Sequence, residues 1–294
     1  MPRSIDHLVL AVPDLAAAAA LYRAMGFTVG SRNRHPWGTE NAVVALDGSY
    51  LELIGLAPDF RPPPPDDPAA PFAGPVAATV ARGGGLALVA LSSSDAEADA
   101  AGFAAAGLGP GRRLDFARTA TLADGATRTM RFDLAFATVP GLTEAGFFAC
   151  RHHQPFGDAA GRRHANGAAR LGAAVLASEK PRSHAPALAA LLGAEPGGAP
   201  ECSLFGTATG RLTLMTPADA EAHYGPGAVP GRFAAAEIVV EALAPLRGLL
   251  DRAGIPHAEI AGALVVPPAA AFGVALAFAP APCHSVARNG EAAA

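Results

Sequence analysis

The stretch SRNRHPWGTENAVVALDGSYLELIGL, from Ser31 to Leu56, holds the chain's single tryptophan, one of its nine histidines and a glutamate inside an apolar run. Glu52 is the residue that needs explaining. Period-two alternation in YLELIGL puts Tyr50, Glu52 and Ile54 on one face of a strand. If that face meets solvent, a salt-bridged glutamate is ordinary. If it meets a core, the carboxylate must be neutralised or bound, because an unpaired buried charge is costly. His7, in the opening run IDHLVLAV, poses the same choice between a hydrogen-bonded imidazole and a functional one.

HPWGTEN (35–41) lies just upstream of that strand, where it would connect two others. His35 and Asn41 can donate and accept, Thr39 offers a hydroxyl and Trp37 an apolar plate, a set suited to substrate binding. Equally, Pro36 and Gly38 could simply build a turn, with Asn41 satisfying backbone. FFACRHHQP (147–155) carries two adjacent histidines. Only one of them can share a face with Phe148 and Cys150, and alternation selects His152 over His153. Arg32, Arg34 and Arg151 could receive an anionic substrate, although solvated surface arginines are commoner.

These residues need strands to position them, and the chain supplies strands in a repeating pattern. A short apolar run followed by an alanine-rich stretch ending at glycine begins at Ile5, Gly85, Arg170 and Ala235. Asp, Ser or Pro stands near each helix start and Gly near each end, where those residues favour capping. Further β-type runs follow each helix, among them FTVGSRNR, ENAVVAL and SYLELIGL in the first repeat. Each repeat therefore reads as βαβββ. One such module leaves an open sheet face and exposed edges, so two should pair. The fold class is α+β, with four βαβββ modules paired into two half-barrel domains. We expect domains at 1–157 and 166–282, a linker at 158–165 and a polar tail at 283–294. The proline-rich run 57–71 reads as an extended spacer between the first two modules, and 217–232 as the join between the last two.

Composition narrows the classes of function. With 51% hydrophobic and 16% charged residues, the 294-residue chain has ample core material and is not of disordered type. A net charge of −4 with scattered basic residues gives no footprint for nucleic acid or an anionic membrane. No segment has the ~18 strongly apolar residues of a membrane span, and the opening has no secretory pattern. Three widely spaced cysteines fit a reducing cytoplasm better than a disulfide framework. RGGGLAL (82–88) lacks the strand-before, helix-after setting of a nucleotide loop, and HANGA (164–168) reads as a structured turn.

Paired βαβββ modules with IDHLVLAVPDL, GF (26–27), HPWGTEN and YLELIG resemble the vicinal oxygen chelate superfamily, which includes glyoxalase I, bleomycin-resistance proteins and extradiol dioxygenases. FFACRHHQP and HANGAARLG (164–172) make the first half look more specifically like its glyoxalase-like domain group. The likeness spans most of residues 1–175 at motif level and rests on the repeat alone beyond that. It implies divalent-metal ligands on the first and last strands of each module, pointing into the half-barrel. His7 and Glu52 match those positions, and His152 would complete a set of two imidazoles and one carboxylate suited to Fe, Mn or Zn. Glu52 could instead be a general base. The second module offers Leu86 or Ala87 where His7 stands. In the second domain Gly172 falls opposite His7 and Thr213 opposite Glu52, so no second metal site is expected. Extradiol dioxygenases of this length carry iron in the C-terminal half, and this chain departs from that pattern.

The expected function is a metal-dependent lyase, isomerase or hydrolase acting on a small oxygenated metabolite in the N-terminal half-barrel. The alternatives are a metal-free protein that sequesters a small molecule and a ring-cleaving dioxygenase. The expected partner is a small-molecule substrate, a homodimer is open to the chain, and neither nucleic acid nor membrane is expected.

Overall fold

Among the described residues, sixteen strands and six α-helices follow the fourfold βαβββ pattern, with one helix inserted inside each pair of modules. The computed structural model describes residues 3–121, 127–154, 161–199 and 201–281. The tail at 283–294, with Cys283, and part of the expected linker lie outside the described residues. Strands β1 (Ile5–Ala11), β2 (Asn33–Arg34), β3 (Thr39–Leu46), β4 (Ser49–Leu56), β5 (Gly85–Ser92), β6 (Arg113–Thr121), β7 (Thr127–Ala137) and β8 (Gly146–His152) form one sheet. Its order is β2-β3-β4-β1-β5-β8-β7-β6. The second sheet repeats this order with β9 (Ala168–Ala177) through β16 (Ala275–Pro280). In each module the first strand runs parallel to the last, and the two modules join through antiparallel first strands, β1 with β5 and β9 with β13 (Phe233–Val240). The architecture is α+β, two glyoxalase-like half-barrels.

Local chemistry sets the helix limits. Asp14 caps α1 (Leu15–Ala24) by accepting from the amides of Ala16 and Ala17. Asp95 caps α3 (Ala96–Ala105) in the same way, each cap contributing about 1 kcal/mol. Gly193 and Gly254 end α4 (Pro181–Leu192) and α6 (Leu243–Ala253) in the left-handed conformation. FTVGSRNR forms only the two-residue β2 rather than a full strand.

The two inserted helices were not evident in the sequence. The spacer 57–71 runs into α2 (Ala70–Ala81), and α5 (Pro217–Tyr224) occupies the start of the expected join at 217–232. Both begin with proline at the first or second position, where its missing amide costs nothing. Phe72 and Val76 of α2 join the apolar cluster on the concave face of the first sheet, and Ala220 and Tyr224 of α5 join the corresponding cluster on the second.

The opposite faces of both sheets share one continuous core with α1, α3, α4 and α6, which includes Tyr22, Phe103, Phe147, Leu188, Leu250 and Phe278. Asn166 of the HANGA turn is fully buried, and its amide donates to the Met25 carbonyl at 2.9 Å. Gly84, in the glycine run before β5, marks a close backbone approach instead of a nucleotide loop. A Cβ on Gly273 would lie 2.3 Å from the Gly84 carbonyl oxygen, so neither residue tolerates a side chain. No described helix is long and apolar enough to cross a membrane.

Candidate functional site

The concave face of the first sheet gathers the polar groups that the sequence singled out. His7 on β1 and Glu52 on β4 are 3% and 4% exposed, and the face they share is buried, not solvated. Their strands are adjacent and parallel, with His7 paired to Tyr50 and Val9 to Glu52. The Nε2 of His7 stands 3.7 Å from one Glu52 carboxylate oxygen. From the connection ahead of β3, His35 sets its own Nε2 3.7 Å from the other oxygen. The Asn41 amide on β3 donates to Glu52.

Both imidazoles are held from behind. His7 Nδ1 meets Asp6 Oδ2 at 2.6 Å, and His35 Nδ1 meets Thr39 Oγ1 at 2.9 Å. His7 also stacks on Tyr50 at 4.3 Å between ring centroids, and His35 on Trp37 at 4.8 Å. Burial drives the Asp6 carboxyl upward, yet hydrogen bonds from His152 and His7 more than offset it and hold Asp6 well below the usual carboxylate range. Asp6 is therefore ionised, and the proton of His7 sits on Nδ1. Its Nε2 then faces a carboxylate oxygen of Glu52, an arrangement favoured when the two share a proton or a cation. Burial lowers His35 to about 4, with Arg118 and His7 adding to the effect and Glu52 opposing it, so His35 is neutral at pH 7.

His152 shares the face of Phe148 and Cys150, as alternation required, but turns toward Asp6. Its Nε2 lies 2.9 Å from Asp6 Oδ2 and 3.5 Å from Cys150 Sγ. Among the described residues, Asp6, Cys150 and His152 form the one His/Cys/Asp/Glu group whose ligand atoms all lie within 4.8 Å of one another. Asp6 in that group is committed to two imidazoles, and burial pushes the Cys150 thiol well up, with Asp6, Glu52 and Asp133 adding to it. The group is a possible metal site with a protonated thiol, and it meets the His7–Glu52 pair through Asp6. His153 points elsewhere, onto Asp133 at 2.7 Å.

A cavity of about 30 Å³ opens between these groups, walled by Phe72, Phe116, Phe132 and Phe148. A wider cleft of about 450 Å³ adjoins it, lined by Asp6, Ser49, Tyr50, His152 and Arg162, with Tyr50 common to both. Burial raises the Tyr50 hydroxyl far above its usual range, and the neighbouring Asp6 raises it further, so it stays protonated.

The arginine at this cavity is not one of the three expected. Arg32 pairs with Glu40, Arg34 with Asp59, and Arg151 lies 3.7 Å from Asp133. Arg118 of β6 lines the cavity instead and is 8% exposed. Burial lowers its pKa while Glu52 and Tyr50 raise it. Sequence reasoning missed both Arg118 and Asp6. The available signal for Arg118 was its alternation with Leu114 and Phe116 in RRLDFAR.

The second sheet has no equivalent site among the described residues. Glu237 is bonded by Arg211 and by the Tyr224 hydroxyl, so its charge is paired, and no imidazole joins it. Thr213 is buried beside Arg211.

Paired βαβββ half-barrels with an inward His and Glu define a class of protein, the vicinal oxygen chelate superfamily. The glyoxalase-like domain family model matches residues 5–192, and the chain belongs to that family. Among solved structures, a hypothetical protein from Staphylococcus aureus superposes with a TM-score of 0.65 at 9% identity, covering 96% of this chain and 100% of that one. A mutant of 4-hydroxymandelate synthase from Streptomyces coelicolor superposes with a TM-score of 0.55 at 16% identity, covering 89% of this chain and 78% of that one. At these identities the likeness is one of fold. No curated protein sequence matches the chain.

Proposed function

We propose that the N-terminal half-barrel is the active site of a lyase, isomerase or hydrolase acting on a small oxygenated organic molecule, with a divalent cation held at His7 and Glu52. One observation carries this reading: the Nε2 of His7 faces Glu52 at 3.7 Å, while Asp6 and Asn41 fix the two partners from behind. A hydrogen-bonded carboxylate behind a ligating histidine is the usual outer support of a metal site. His35, neutral and facing the far oxygen of Glu52, is a third donor in reach of the same carboxylate. A bound Fe(II), Mn(II) or Zn(II) would supply Lewis acidity toward two vicinal oxygens of the substrate.

The remaining steps belong to the chain. The four phenylalanines exclude water and so strengthen every charge interaction within the cavity. Tyr50 keeps its proton and can donate to a substrate oxygen. If Glu52 is not a ligand, it is the group with the reach to take a proton from a bound carbon acid.

Metal analysis of protein purified without a metal-affinity tag tests the proposal. Wild type is expected to retain a stoichiometric divalent metal that both His7→Ala and Glu52→Ala lose. Folded wild type that retains none would favour a second reading, a metal-free protein that sequesters a small ligand. The aromatic walls of the cavity and the guanidinium inside it favour that reading.

A further inference from the structure

We infer that Arg118 is the anion anchor of the cavity and that the natural ligand is a small organic acid. Its carboxylate would meet the guanidinium in the small cavity, with its body extending past Tyr50 into the adjoining cleft. This rests on the N-terminal cavity being the ligand site. Arg118 is 8% exposed, and its Nε and Nη1 have no hydrogen-bond partner among the described residues. Buried guanidinium nitrogens are nearly always paired, because an unpaired buried charge costs far more than a hydrogen bond returns. The one other buried arginine nitrogen without a partner among the described residues, Arg113 Nε, does not line this cavity. At Arg118 the fold has fixed such a group on the wall of the cavity.

The neighbouring residues show why Arg118 is held unpaired. It extends from β6 opposite Met130 of β7, with its guanidinium carbon 5.7 Å from the Phe132 ring centroid. Phe116, two residues before it, stacks on Phe132 at 5.0 Å. The charge therefore rests on an aromatic platform that leaves its polar edge to a ligand. Glu52 acts on it through space without a hydrogen bond. The Nε and Nη1 of Arg118 therefore stay open to an incoming carboxylate. On the same cavity wall, Asn41 Oδ1 is a buried acceptor without a hydrogen-bond partner among the described residues. It suits a hydroxyl on the same ligand, which makes a hydroxy acid the best fit.

Trp37, the only tryptophan, stacks on His35 and lies 4.8 Å from the Phe116 ring, so its fluorescence reports on occupancy. Acetate and benzoate serve as probes, with acetamide and benzamide as their uncharged counterparts. In wild type at least one acid should bind roughly tenfold or more tighter than its amide. Arg118→Gln should abolish that preference, and Arg118→Lys should keep part of it. Equal binding of acid and amide, or a preference that survives in Arg118→Gln, would overturn the inference while leaving the cavity as a ligand site. Probes that leave Trp37 unmoved would count against both. The melting temperature of ligand-free Arg118→Met provides a second measurement. Removing an unpaired buried charge should raise it by roughly 2 °C or more. A fall, or failure of the Gln and Met variants to fold, would make the guanidinium structural and overturn the inference.

Discussion

Metal-free protein, stripped with a chelator, is expected to lose stability steeply between pH 6.5 and pH 4, and His35→Phe should remove much of that slope. Burial holds folded His35 at about 4 against an ordinary 6.5, so over this range the unfolded chain binds a proton that the folded chain does not. Stability is therefore full above pH 6.5 and falls as pH drops toward 4. About 2.5 units at 1.36 kcal/mol each gives roughly 3 kcal/mol, a large fraction of a typical folding free energy. Phenylalanine keeps a ring against Trp37 and gives up the bond to Thr39, about 1 kcal/mol that does not depend on pH. His164 and His184 also have lowered values, but both are present in wild type and variant and cancel in the difference. Denaturant unfolding at several pH values measures it, and parallel curves for the two proteins would show that His35 is not held neutral.

Asp6→Asn should weaken divalent-metal affinity by roughly 10–100-fold, the usual loss when the outer partner of a ligating histidine is removed. Asp6 Oδ2 takes a hydrogen bond from His7 at 2.6 Å and from His152 at 2.9 Å. An amide oxygen carries no full charge, and an amide nitrogen turned toward His7 would favour the tautomer with its proton on Nε2. That proton would occupy the position from which His7 faces Glu52. Competition with a chromophoric chelator reads the effect. Equal affinity in the two proteins would mean that the tautomer of His7 is fixed by something other than Asp6.

His7 and Glu52 could be found in the sequence because each lies on a regular strand whose alternation fixes its face. The same alternation was available for Arg118 beside Phe116. Reading it required knowing that the β6–β7 hairpin folds over the cavity, and that is a tertiary fact. Asp6 was hidden for a sharper reason. Ile5 pairs with Leu91 and His7 with Ala90, so Asp6 is an extra residue in a bulge, and the bulge breaks the period-two rule that assigns neighbours to opposite faces. Helix α2 was obscured by the prolines before it. They read as a spacer, although proline is well tolerated in a first helical turn. In the second half, Glu237 has the residue type of a ligand, but its pairing with Arg211 and Tyr224 is visible only in three dimensions.

Anomalous diffraction from crystals soaked with Co(II), recorded at the cobalt edge, tests the central claim most directly. We expect one peak within bonding distance of His7 Nε2 and a Glu52 oxygen, absent from His7→Ala crystals of the same form. A peak at Asp6, Cys150 and His152, or none in the N-terminal half-barrel, would contradict the account.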